Sequence, residues 1–195
     1  MRGALIASMS LMLGCSTIAQ VSGGGALGAV NGQLWGGGGV SGHVGLGGRI
    51  QSGDLDVTNA LMPLGIDIMA RVYGTSQYAS FAYGEGYYLS TDLGKHTGVA
   101  RVLGLLECNT GAVLLCGGGV RGELVFGVTL AEEGRRVAGI FVEEKRRSRK
   151  LLTIGLFGEY AGYFTRNSEL PVFGLEIGYA VEDDLLDISR GALLR

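Results

Sequence analysis

Apolar residues alternate with small or polar residues along most of the chain, and this period of two predicts β-strands with one apolar face. In residues 64–74, Leu64, Ile66 and Ile68 lie on one face while Asp67 lies on the other. No helical stretch of βαβ spacing intervenes between such segments. Eight antiparallel strands with short connections can close into an up-and-down barrel, so the predicted fold class is all-β. The predicted strands are 41–51, 64–74, 78–90, 98–107, 111–130, 136–144, 151–167 and 171–182.

Two of these segments are less regular than the others. Residues 98–107 alternate poorly, and their apolar positions would also fit a helix. Residues 111–130 form either one strand bent at the glycines 117–119 or two shorter strands, because glycine inside a strand often marks a bend. The predicted turns include 75–77, 109–111, 131–134 and the basic run 145–150.

The two faces of the predicted strands differ in chemistry. One face carries Leu, Ile, Val, Phe and Tyr, and the other carries Gly, Ala and Ser with isolated charges. Small residues suit the narrow interior of an eight-stranded barrel, whereas aliphatic side chains are tolerated by lipid. We therefore expect the aliphatic face to point outward and the charges to form an interior network that acts as a plug rather than an ion path. The predicted network contains Arg49, Asp67, Arg71, Glu123, Glu159 and Glu176.

The two ends of the chain are predicted to lie outside the barrel domain, residues 41–182. Residues 1–19 have a positive start, an apolar run and then small residues, which is typical of an export signal. The signal ends either at Ala19 or before Cys15, which would then be lipidated as in a bacterial lipoprotein. Residues 20–40 are predicted to be a flexible glycine-rich lead-in, and residues 183–195 a C-terminal tail.

Composition narrows the function classes. A length of 195 residues suits one domain, and 37 glycines without a triplet repeat exclude collagen. The hydrophobic content of 47% excludes a disordered chain, and the charged content of 17% is low for a soluble surface. A net charge of −2 offers no electrostatic basis for binding nucleic acid.

No motif in the sequence predicts a cofactor, a metal site or catalysis. The pattern G-x-G-x-x-G occurs at 23–28, 37–42 and 117–122, but none of these matches lies between a strand and a helix. The histidines are His43 and His96, and no serine or acid can be assigned to either from spacing, so we expect a non-catalytic protein. The alternative is a barrel enzyme that modifies lipid through a histidine. No Cys/His spacing is typical of zinc.

Cys108 and Cys116 flank the predicted tight turn at 109–111. Such a turn would place Cys116 several residues along the return strand, beyond the roughly 7 Å between Cα atoms that a disulfide spans. We therefore expect buried free thiols, with a disulfide only if residues 108–116 form an open loop.

The basic run at 145–150 has two interpretations. It is either a solvated hairpin turn or a contact with anionic lipid head groups at one membrane rim. The candidate head-group residues are Lys145, Arg146, Arg147, Arg149 and Lys150.

The alternating pattern of residues 41–182 resembles the small eight-stranded outer-membrane β-barrels, the OmpA/OmpX-like class. The chain departs from this class in the tail 183–195 and in the lipoprotein-like Cys15. The resemblance implies an exported, transmembrane, porin-like scaffold in the bacterial outer membrane, with membrane lipid as partner and a structural or binding role. The alternative is a lipoprotein with a soluble lipocalin-like barrel, which would bury the aliphatic face around a small apolar ligand.

Overall fold

The computed structural model describes residues 11–30, 33–52, 64–111, 113–138, 143–164 and 169–187. Within these ranges the chain forms antiparallel strands, and no helix there is long and apolar enough to cross a membrane. The strands are β1 (Leu11–Val30), β2 (Gln33–Ser52), β3 (Leu64–Gly74), β4 (Ala79–Asp92), β5 (His96–Thr110), β6 (Leu115–Ala138), β7 (Glu143–Tyr163) and β8 (Glu169–Asp187).

The strands form a closed barrel in sequence order, because β1 pairs with both β2 and β8. At this junction Ala19 lies opposite Val44 on one side and Val181 on the other. The closed, all-β, antiparallel architecture predicted from the alternation is therefore confirmed. The predicted turn at 75–77 is also confirmed, since the Thr75 amide donates a hydrogen bond of 2.7 Å to the Tyr78 carbonyl.

The aliphatic side chains point outward, as the sequence predicted. Leu124 on β6, Leu156 on β7 and Leu175 on β8 lie side by side and are exposed. A lipocalin-like barrel would require these residues to line its interior, so that alternative is wrong. We call the outward face the aliphatic belt; it includes Val21, Leu27, Val44, Leu46, Ile66, Ile68, Val72, Phe81, Tyr87, Val102, Leu106, Val120, Leu124, Phe126, Ile154, Leu156, Phe173, Leu175 and Ile177.

The glycine-rich lead-in predicted at 20–40 is wrong in its described parts, because residues 20–30 belong to β1 and residues 33–40 belong to β2. Trp35 is buried in the barrel rather than anchoring a loose segment. Residues 183–187 of the predicted C-terminal tail, 183–195, belong to β8, which continues to Asp187. An export signal ending at Ala19 stays a prediction, and the structure places 11–19 in the first half of β1.

The predicted strand at 136–144 is not a separate strand. Residues 131–138, including the predicted turn at 131–134, continue β6 and pair with residues 143–150 of β7. The basic run 145–150 is likewise in β7 and not at a turn. The pairing of β5 with β6 ends at His96, opposite Val128, so the hairpin of β6 and β7 extends beyond the barrel wall.

Cys108 and Cys116 form a disulfide, so the expectation of free thiols is wrong. The predicted tight turn at 109–111 is wrong as well, because β5 continues through Thr110 and β6 begins at Leu115. This longer connection places the two cysteines directly opposite each other, with 4.0 Å between their Cα atoms.

Aromatic side chains inside the barrel lie against glycines of neighbouring strands. The Tyr88 ring faces Gly45, Gly47 and Gly65, where an added Cβ would meet ring atoms. The Trp35 ring lies against Gly28 in the same way. Much of the glycine content of the inward face therefore provides room for large rings in a narrow bore.

Adding a methyl group beneath Tyr88 is expected to destabilise the barrel. A Cβ at Gly65 would overlap the Tyr88 ring and the Leu46 carbonyl, and overpacking of this kind costs about 1–3 kcal/mol. Gly65→Ala should therefore lower the midpoint of denaturant unfolding in detergent. Gly122→Ala is the matched control, because no heavy atom lies within 4 Å of its added Cβ. Equal midpoints for the two variants would contradict this account of the packing.

Candidate functional site

Inward-facing charged residues from β2 to β8 meet in the middle of the barrel. None of them is more than 4% exposed. Successive side chains of a strand point to opposite faces, and each of these residues occupies a position whose side chain points inward. The closed sheet therefore brings them together. We call this set the ionic core; it consists of His43, Asp67, Arg71, Arg101, Glu107, Arg121, Glu123, Glu159 and Glu176.

Arg121 on β6 contacts three carboxylates of the ionic core. Its Nη1 donates to Glu159, its Nη2 lies 2.9 Å from Glu176 Oε1, and its Nε lies 3.4 Å from Glu123 Oε2. The guanidinium also lies over the Phe157 ring, with Cζ 3.9 Å from the ring centroid. A guanidinium can serve several acceptors at once because its donors form a planar fork.

Arg101 and Arg71 link further carboxylates on either side of Arg121. Arg101 Nε lies 2.6 Å from Asp67 Oδ2, and Arg101 Nη2 donates to Gln20 Oε1 at 2.7 Å. Arg71 Nη2 contacts Glu159 and lies 3.3 Å from Glu107 Oε1. Buried charges require such pairing, because an isolated charge in a dry interior is costly.

Hydroxyl groups and His43 connect further members of the ionic core. Glu176 accepts one from Tyr73 at 2.6 Å and one from Ser41 at 2.8 Å. His43 Nδ1 lies 3.0 Å from Asp67 Oδ1, and His43 Nε2 lies 3.5 Å from Glu123 Oε2. The ionic core is therefore one continuous network of side chains rather than a set of separate pairs.

The structure brings together most of the residues predicted to form an interior network. Asp67, Arg71, Glu123, Glu159 and Glu176 all lie in the ionic core. The side chain of Arg49, the sixth predicted member, lies outside the described residues.

Sequence reasoning missed Arg101, Glu107, Arg121 and the contacts of His43. The signal for Arg121 was present, because it is two residues before Glu123 and so shares its face. The signal for Arg101 and Glu107 was hidden by the irregular alternation of 98–107. The structure shows which face of β5 points inward: its odd-numbered residues do, whereas Val102 and Leu106 point outward.

A smaller charged cluster lies where β4, β7 and β8 meet near the basic run. Arg149 is 1% exposed; its Nη1 lies 2.9 Å from Asp92 Oδ1 and its Nη2 contacts Glu182. Arg149 therefore cannot contact lipid head groups, and this part of the prediction is wrong. Arg147 lies 2.6 Å from Asp92 Oδ2 and is partly exposed, and Lys150 is exposed on the outer surface. The side chains of Lys145 and Arg146 lie outside the described residues.

The three G-x-G-x-x-G matches lie in extended strands, at 23–28 in β1, 37–42 in β2 and 117–122 in β6. A dinucleotide site of that type requires the glycines to open a helix. These matches therefore do not form such a site.

The ionic core places paired charged side chains across the bore. Large guanidinium groups from β3, β5 and β6 reach across the interior and contact carboxylates on other strands. An eight-stranded barrel is just wide enough for its interior to be filled by side chains. The arrangement can hold the barrel wall together from inside, because these three pairs join strands that are not neighbours in the sheet.

No protein-family profile matches the chain, and no curated protein gives a significant match. Among solved structures, the chain is similar to Neisserial surface protein A (NspA), with a TM-score of 0.52 at 12% sequence identity, covering 85% of this chain and 95% of that chain. The chain has the fold of the small eight-stranded barrels. The fold resemblance expected from the sequence is thereby confirmed.

A second similar structure is Ail, the attachment invasion locus protein of Yersinia pestis, in complex with the heparin analogue sucrose octasulfate. Its TM-score is 0.32 at 12% identity, covering 86% of this chain and 98% of that chain. No feature of this chain is inferred from that structure.

Proposed function

We propose that this protein is an integral β-barrel of the bacterial outer membrane with a structural or binding role and no catalytic activity. The observation that carries the proposal is the combination of an exposed aliphatic belt with a buried ionic core. In a soluble domain these two sets of residues would exchange places, because burial of apolar surface drives folding in water.

The extent of the apolar surface supports a lipid environment. The belt surrounds the barrel, whereas a soluble monomer rarely exposes a continuous apolar patch larger than a few hundred Å². Closure of the sheet satisfies the backbone groups of every strand, which a membrane-spanning sheet requires. β3, the shortest strand, has 11 residues, enough for a tilted strand to span a bilayer.

The outward surface of β7 has the order of residues expected across a bilayer. Lys150 stands toward one end, Ile154 and Leu156 lie in the middle, Tyr160 lies toward the other end, and Phe164 follows directly after the strand. Aromatic side chains are favoured at the interface between lipid and water, and charged ones lie beyond it.

The ionic core supports a closed scaffold rather than a porin-like channel. Three guanidiniums cross the bore and are held by carboxylates from several strands. An open ion path would require a water-filled lumen, which is typical of barrels with many more strands. A binding role would then belong to the surfaces outside the bilayer, including the hairpin of β6 and β7 that extends beyond the wall.

Reconstitution into lipid tests both parts of the proposal. We expect the refolded full-length chain to remain with phospholipid vesicles during flotation, to resist extraction by urea, and to give no steady current in a planar bilayer. A protein that stays soluble and monomeric without detergent would overturn the membrane assignment. A steady current from membrane-inserted protein would overturn only the closed interior.

A further inference from the structure

We propose that His43, Glu123 and Glu176 bind one divalent transition-metal ion, with Zn²⁺ as the reference ion, inside the barrel. One ligand atom from each of these buried side chains lies within 4.8 Å of the other two. They come from β2, β6 and β8, which the closed sheet brings around one point of the bore. The proposal depends on the ionic core and not on the membrane in which the barrel lies.

The first observation concerns the contacts of the two ring nitrogens of His43. Its Nδ1 is engaged by Asp67 Oδ1 at 3.0 Å, whereas its Nε2 makes no hydrogen bond with any residue that the structure describes. This Nε2 is buried and points toward Glu123 Oε2, 3.5 Å away. When Nδ1 carries the proton toward Asp67, Nε2 presents a lone pair on the side of Glu123 Oε2, which Arg121 Nε also approaches at 3.4 Å.

The second observation is the geometry. Two ligands each about 2.1 Å from a tetrahedral zinc ion lie roughly 3.4 Å apart, which matches the 3.5 Å between His43 Nε2 and Glu123 Oε2. Glu176 is farther away and would approach by a small rotation of its side chain. One imidazole nitrogen with two carboxylate oxygens is a ligand set suited to Zn²⁺ and similar ions.

The third observation is the set of groups behind the three ligands. Metal-bound histidine commonly donates its second ring N–H to a carboxylate, and Asp67 stands in that position. Ligating carboxylates are in turn hydrogen-bonded, as Glu176 is by Ser41 and Tyr73. The Asp67 contact orients the His43 ring before an ion arrives, whereas Glu176 would move toward the ion from its present hydrogen bonds.

The charge balance of the ionic core also favours a cation. Apart from His43, its described members are five carboxyl groups and three guanidiniums, so their formal charges sum to −2. Excess buried negative charge is unfavourable without a counter-charge. The carboxylates are Asp67, Glu107, Glu123, Glu159 and Glu176, and the guanidiniums are Arg71, Arg101 and Arg121.

The test is metal retention by the full-length chain refolded in detergent with Zn²⁺ and then freed of unbound metal by gel filtration. We expect about one Zn²⁺ per folded wild-type chain, measured by mass spectrometry of the metal. Asp67→Asn, which alters a positioning residue, should weaken Zn²⁺ binding about 10- to 100-fold, and His43→Gln should weaken it further. Glu107→Gln is the control, because it removes an ionic-core carboxylate outside the ligand set and should retain Zn²⁺.

Two results would overturn the proposal: wild-type protein that retains no Zn²⁺, or equal loss in His43→Gln and Glu107→Gln. The second would indicate unspecific attraction by excess negative charge. If His43→Gln does not fold, X-ray absorption of the wild-type protein loaded with Co²⁺ decides the question. A coordination shell with one imidazole and carboxylates supports the site, and a shell of oxygens without imidazole refutes it.

Discussion

Arg121→Met is expected to destabilise the barrel by about 3–5 kcal/mol, because among the described residues it removes the one guanidinium that contacts buried Glu176 and one of two that contact Glu123 and Glu159. Glu123, Glu159 and Glu176 would all lose a guanidinium that contacts them. Methionine keeps much of the length and apolar stem of arginine, so the change tests charge more than volume. Urea unfolding in detergent, followed by tryptophan fluorescence of Trp35, measures the difference.

Arg147→Met is the matched control for this measurement. Arg147 is also paired with a carboxylate, at 2.6 Å from Asp92 Oδ2, but its side chain is 24% exposed. Partly solvated pairs contribute about 0–1 kcal/mol, so the unfolding midpoint should change little. A loss of less than about 1 kcal/mol for Arg121→Met would show that the ionic core does not hold the barrel together.

Leu156→Arg is expected to destabilise the membrane-inserted protein by about 2–4 kcal/mol, the cost of a cation on the lipid face near the bilayer midplane. Leu156 lies in the middle of the aliphatic belt, between Leu124 and Leu175 on the neighbouring strands. In vesicles the variant should show a lower fraction of folded protein at each urea concentration.

Leu130→Arg is the control, because both leucines are 59% exposed but Leu130 lies near Lys150 at the rim. The expected cost there is about 0–1 kcal/mol, since the penalty for a charge falls toward the interface. If the aliphatic belt faced water instead of lipid, the two variants would have equally small effects. The pair therefore distinguishes a membrane barrel from a barrel that is merely apolar outside.

Much of this fold could be predicted from the alternation of apolar residues with small or polar residues along the chain. β3 was predicted with its observed bounds, and the outward direction of the aliphatic face followed from the small residues opposite it. In a closed sheet with one lipid-compatible face, the period of two fixes which side chains meet inside. Asp67, Arg71 and Glu123 could therefore be grouped without knowledge of their contacts.

The parts that were not predicted depend on long-range pairing. β1 has so many glycines in 20–30 that its own pattern does not identify a strand; its pairing with β2 and β8 does. Turns are predicted at 131–134 and 145–150, yet cross-strand pairing extends through both. The partners of Arg101 and His43 depend on register between strands, which no single segment of sequence specifies.

Closure of the sheet between β1 and β8 has a consequence for biogenesis. The seam joins β1 and β8, so it can form only after β8 has been synthesised. Until then, two unpaired strand edges remain available for association with other chains. A nascent or truncated form that lacks β8 should therefore need a chaperone that covers those edges, whereas the closed barrel should need none.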